Sequence, residues 1–100
     1  MQRGEIRTYP VIIDRPGAAH HRVIVASEPV ASNDRLPVIL TLLVYPDDPG
    51  GLLSVDVTAG WASALAPEAT VRRRLGEVVH VCDPSQLHSL DAAIRAAFGV

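Results

Sequence analysis

The apolar residues of this chain fall into short runs rich in Val, Ile and Leu, separated by clusters of Pro, Gly, Asn and Asp. From residue 83 onward the period changes. Ile6 to Ile13 reads as a strand that Pro10 confines to a sheet edge or bends, because proline cannot donate to a ladder. Asp14-Arg15-Pro16-Gly17 is a turn in which Pro followed by Gly suits type II geometry. Arg22 to Ser27 is a second strand, and Ala31 to Asp34 a second break. Val38 to Tyr45 is the strongest strand. It is apolar on both faces, which predicts a central strand covered twice. Pro46-Asp47-Asp48-Pro49-Gly50-Gly51 is a loop. Leu52 to Val57 and Gly60 to Leu65 read as two further strands, Pro67 to Thr70 as the start of a helical turn, and Glu77 to Cys82 as a last strand.

The final segment has a legible start and stop. Asp83 suits an N-cap, Pro84 the first helical position, and Gln86 the third residue of a capping box. Leu87, Leu90, Ile94 and Phe98 form one stripe padded by Ala93 and Ala97, and Gly99 terminates it. The whole predicts a mostly β domain, residues 1–100, with a C-terminal helix docked on a small bent barrel of about five to seven strands.

Composition narrows the function. An apolar fraction of 48% excludes disorder, and no apolar run approaches the ~18 residues that span a bilayer. The N-terminus lacks the apolar region of an export signal, and the one cysteine, Cys82, reads as a small buried hydrophobe, so a cytoplasmic protein is expected. A net charge of −2 gives no global pull on nucleic acid, so any such contact needs a local basic cluster. Arg72-Arg73-Arg74 is the densest one. His20-His21 does not make a metal pair, since adjacent strand residues point apart and no third ligand has suitable spacing.

Several pieces in order resemble the MazF/PemK toxins, the ribonuclease halves of bacterial toxin–antitoxin pairs. Arg3-Gly4-Glu5-Ile6 is similar to their opening and Arg22 to Ser27 to their second strand. Arg74-Leu75-Gly76, followed at matching spacing by a strand, an acidic cap and a helix with Leu90-Asp91-x-Ala93-Ile94, is similar to their tail. The resemblance implies an SH3-like barrel, a homodimer, a MazE-like cognate antitoxin whose tail lies across the dimer, and growth inhibition by cleavage of single-stranded mRNA. It implies no metal or cofactor: the RNA 2′-hydroxyl attacks the adjacent phosphorus, which requires a base and cationic or hydroxyl donors.

By the same resemblance the catalytic carriers are an Arg opening strand two and a Thr or Ser ending strand three. Aligning Ser27 with the family's Ser puts His21 at the Arg position and Arg22 where Pro stands. Continued without a gap, that register puts Val44 at the Thr position. Thr41 takes the role if the intervening loop is three residues shorter. The candidate catalytic residues are therefore Arg22, His21 and Thr41, with Arg15, Arg72, Arg73 and Arg74 as RNA or antitoxin contacts. CcdB, a gyrase poison of the same fold, ends on an aromatic, a Gly and an aliphatic as Phe98-Gly99-Val100 does here, which keeps a gyrase-directed toxin open as the alternative. A third reading is a catalytically degenerate member that only binds its antitoxin.

Overall fold

The computed structural model describes residues 1–11, 14–51 and 53–99. Among the described residues there are six strands: β1 (Glu5–Thr8), β2 (His21–Ile24), β3 (Val38–Tyr45), β4 (Ser54–Asp56), β5 (Trp61–Val71) and β6 (Val78–Val81). The α-helices among these residues are α1 (Glu28–Ala31) and α2 (Pro84–Phe98), and a single 3-10 turn covers Arg72–Arg74. The strands form one curled antiparallel sheet in the order β4-β5-β3-β2-β1-β6. The expected mostly β fold with a C-terminal helix is the fold found, and β3 occupies the expected bounds and a central place.

The helix expectation holds in detail. Asp83 accepts from the Gln86 N–H while the Gln86 side chain accepts from the Asp83 N–H, and Gly99 closes α2 in the left-handed region at φ 72°. Leu90 and Ala93 are buried against Ile6, Val23, Leu42, Val44, Val57, Ala62 and Cys82, or beside that cluster. Each large aliphatic buried there contributes about 1.5–3 kcal/mol. Phe98 departs from the stripe and stands 57% exposed. Burial raises the Cys82 thiol to about 11, with the neighbouring Asp83 charge adding to the effect, so the reading of Cys82 as a buried hydrophobe agrees with its place in the core.

Two elements differ from expectation. Pro67 to Thr70 is not a helical turn but part of β5, which runs eleven residues and pairs with β3 from Val38↔Val71 to Tyr45↔Trp61. Among the described residues the other side of β5 has no partner beyond Ala64, whose N–H donates to the Leu53 carbonyl, so Pro67 costs it no hydrogen bond there. The second difference is α1, one turn with Pro29 near its start, where a loop is expected. β1 ends at Thr8, and Ile12 and Ile13 of the longer expected strand lie outside the described residues, as does Leu52. The type II turn falls one residue later, with Ala18 N–H donating to the Arg15 carbonyl and Gly17 at φ 80°.

The motifs that carry the resemblance are structural parts. Arg3 pairs with Asp91 of α2. Gly4, at φ 90°, donates to the Ile24 carbonyl and accepts from Cys82 N–H, with Leu87 packed where a Cβ would stand. Leu75 is buried, and Gly76 lies so close to Thr8 that a side chain there would meet its hydroxyl.

Arg72 is the second organiser. Its guanidinium is buried and donates to the carbonyls of Leu36 (2.8 Å), Ala31 (2.8 Å) and Val30 (2.9 Å), closing the C-terminal end of α1 onto the sheet. Arg72→Met keeps the aliphatic stem and leaves three carbonyls without donors. It should lower the unfolding free energy by about 2–4 kcal/mol, read from urea denaturation.

Candidate active site on the open face of the sheet

Alternation along the strands sorts the predicted residues onto two faces. Arg22 lies opposite Leu43, Ile24 opposite Thr41, Thr41 opposite Glu68 and Ile39 opposite Thr70. Arg22, Thr41, Glu68 and Thr70 therefore share the face turned away from α2. The aliphatics of that face, Ile24 and Ile39, pack with Ala26, Ala31 and Leu75 in a second small core, against which Tyr9 rests. His21 pairs with Val44 and shares the α2 face with Val23 and Leu42. The structure brings Arg22 and Thr41 together and puts His21 on the other side.

Arg22 is held on three sides. Its Nη1 donates to the Ala19 and His21 carbonyls, both at 3.1 Å. Its Cζ lies 4.2 Å from the centroid of the Tyr9 ring, a cation–π contact worth about 0.5–2 kcal/mol. Nη2 stands 3.7 Å from Glu68 Oε2, too long for a hydrogen bond. Nε is buried and has no acceptor among the described residues. An unsatisfied buried donor costs about 1–3 kcal/mol, more on a charged group.

Thr41 is fully buried. Its hydroxyl donates to the Glu68 carbonyl at 3.2 Å, and the Thr70 hydroxyl lies 2.9 Å from it. These bonds anchor the Glu68 backbone, while the Glu68 side chain remains 40% exposed.

The arginine triplet divides. Arg72 is enclosed as described. Arg74 is exposed and its Cζ lies 5.3 Å from the Tyr9 centroid, so it joins Arg22 on that ring. Arg73 is exposed beside Leu36, Pro37 and Val71. Arg15 is exposed in its turn. Phe98 and Gly99 end α2, and Val100 lies outside the described residues. Among the described residues no three His, Cys, Asp or Glu side chains gather as a metal site would require, and no helix is long and apolar enough to cross a membrane.

Glu68, Thr70 and Tyr9 are site residues that sequence reading misses. The signal for two of them is present: Glu68-Ala69-Thr70-Val71 alternates polar and apolar with the period of a strand. The proline before it drew the helical reading instead.

No protein-family model matches the sequence, and no curated protein matches it. Solved structures do share the fold. One is a mycobacterial endoribonuclease in complex with its cognate antitoxin, with TM-score 0.81 and 18% identity, covering 100% of this chain and 96% of that one. A second mycobacterial endoribonuclease gives TM-score 0.77 and 16% identity over 100% and 92% of the two chains. The fold that the MazF-like resemblance implies is thus the fold this chain has.

Burial lowers the His21 imidazole below its ordinary value of 6.5, and the charge of His20 lowers it further. The folded state resists protonation that the unfolded chain accepts, so this group stabilises the fold fully above pH 6.5 and less as pH falls through that value. The Cε1 proton of His21, followed by NMR, should titrate with a midpoint below 6.5.

Proposed function

We propose that this chain is the toxin of a bacterial toxin–antitoxin pair, an endoribonuclease that cleaves single-stranded RNA in the cytoplasm and inhibits growth. The reading is supported by full-length similarity of fold to two endoribonucleases, one of them bound to its antitoxin. The observation that carries it to chemistry is Arg22, a guanidinium fixed by two carbonyls and an aromatic ring, with donors left over beside a carboxylate.

Cleavage by 2′-hydroxyl attack develops negative charge on the phosphoryl oxygens, and a fixed guanidinium stabilises that charge without reorganising. Arg22 is the cation of this mechanism. His21, neutral near pH 7, has the chemistry of a base but lies on the opposite face of the sheet from Arg22, so it does not serve a phosphate held there. Thr41 positions the strand pair rather than touching RNA, because its hydroxyl is fully engaged. Arg74, Arg73 and Arg15 are exposed and can meet RNA phosphates or the acidic tail of a MazE-like antitoxin. The homodimer implied by the resemblance has an apolar face available, where Val38, Leu40 and Val71 stand 37–45% exposed on β3 and β5.

The burial of Thr41 and the enclosure of Arg22 favour a second reading, a non-catalytic member that binds its antitoxin. The exposed Phe98 belongs to the gyrase-directed alternative and gives it a separate handle: removal of residues 98–100 abolishes toxicity only there.

Purified, antitoxin-free protein should cut single-stranded RNA in the presence of EDTA, and Arg22→Ala should slow cleavage by about 10²-fold or more. Intact RNA at high protein concentration would sink the ribonuclease reading and leave the antitoxin-binding one.

A further inference from the structure

The unpaired donors of Arg22 lie on one edge. In a guanidinium, Nε and Nη2 point the same way and form the side-on fork that grips a carboxylate or phosphate through two parallel bonds. Here Nη1, outside that fork, holds both carbonyls. Among the described residues Nε has no acceptor, and Nη2 reaches only Glu68 Oε2 at 3.7 Å. The Arg22 side chain is 6% exposed, so this is a buried fork with neither tine hydrogen-bonded. The Tyr9 ring covers the flat of the guanidinium and leaves its plane, the direction of bidentate approach, to other groups.

We propose that this edge is a gated oxyanion site: it takes one tetrahedral phosphate oxyanion, and the Glu68 carboxylate is the internal competitor standing at its mouth. Two observations assign the gate to Glu68. Its backbone carbonyl accepts from the Thr41 and Thr70 hydroxyls, which keeps residue 68 beside the fork, and its carboxylate stands 3.7 Å from Nη2. Its side chain is 40% exposed, so it can leave by rotation of its own torsions with no movement of the sheet. Arg74 stands on the same tyrosine ring and supplies a second positive charge to an incoming anion. A carboxylate at 3.7 Å repels phosphate without hydrogen-bonding the fork. The oxyanion is either free phosphate or a phosphodiester of RNA. The inference rests on the same Arg22 that the ribonuclease reading uses.

The Arg22 Nε–H cross-peak in a ¹H–¹⁵N spectrum, assigned by its loss in Arg22→Lys, reports the fork directly. Orthophosphate and a single-stranded 2′-O-methyl oligoribonucleotide, which cannot be cleaved, are titrated separately. Saturable movement of that peak is the expected result, with affinity tighter by about threefold or more in Glu68→Gln, which removes the competing charge from a partly exposed position. Arg22→Lys keeps the charge but loses the fork and its cross-peak, and ligand affinity, read for this variant and the wild type by isothermal titration calorimetry, should weaken by about tenfold. A response to orthophosphate alone assigns the site to free phosphate, whereas a response to the oligonucleotide assigns it to the RNA backbone. No movement with either ligand, at any concentration up to tens of millimolar, overturns the site. Equal affinity in wild type and Glu68→Gln overturns the gate. Ligand binding without RNA cleavage ends the ribonuclease reading and leaves this site standing. Cleavage with an unmoved cross-peak does the reverse.

Discussion

A sheet has two faces, and this chain has one long helix with which to cover them. α2 takes the face of Ile6, Val23, Leu42 and Val44, where an aliphatic core forms in the ordinary way. Among the described residues the other face receives the single turn of α1, and the aliphatics there, Ile24, Ala26, Ala31, Ile39 and Leu75, make a smaller cluster. Long side chains with charged ends cover what remains. Arginine stems contribute apolar area while the guanidinium seeks acceptors, and the open carbonyls of α1 and of the segment before β3 provide them for Arg72. The charged interior of this face follows from that shortage of apolar cover.

The same shortage shapes the chemistry. Arg22 is fixed by carbonyls and the Tyr9 ring, but its surroundings do not supply enough acceptors for all its donors. Thr41 and Thr70 satisfy one another and the Glu68 carbonyl, leaving them no free hydroxyl hydrogen for a substrate. One arginine edge and one carboxylate are then the groups with capacity left over. Residues that match the family most closely, Arg3-Gly4-Glu5 and Leu75-Gly76, serve mainly to join the N-terminus, α2 and the last strand. Similarity of fold and similarity of site are therefore carried by different residues, and the first does not guarantee the second.

Legibility followed the range of the interactions. The cap, box, stripe and terminator of α2 all act within a few residues of one another, and all are present as the sequence implies, apart from the outward turn of Phe98. β3 announces itself by an uninterrupted apolar run, although on one face its first half is uncovered, with Val38 and Leu40 44% and 45% exposed. Pro67-Glu68-Ala69-Thr70 misled because the same four residues suit a helix start, and only pairing with residues 39–42 of β3 makes them a strand. The site suffered most from this error, since Glu68 and Thr70 belong to that segment.

By itself the sequence determined the elements whose signals are local: where α2 begins and ends, where β3 lies, and that a curled sheet with one terminal helix must result. Only the tertiary structure decided what each arginine does. Arg72 and Arg74 are indistinguishable as letters two positions apart, yet one is buried against the Val30 carbonyl forty-two residues away and the other stands exposed beside Tyr9. Dihedral preference and periodicity are written in neighbouring residues. The environment of a charge is set by whichever distant atoms the fold brings to it, and that information exists only once the chain has closed on itself.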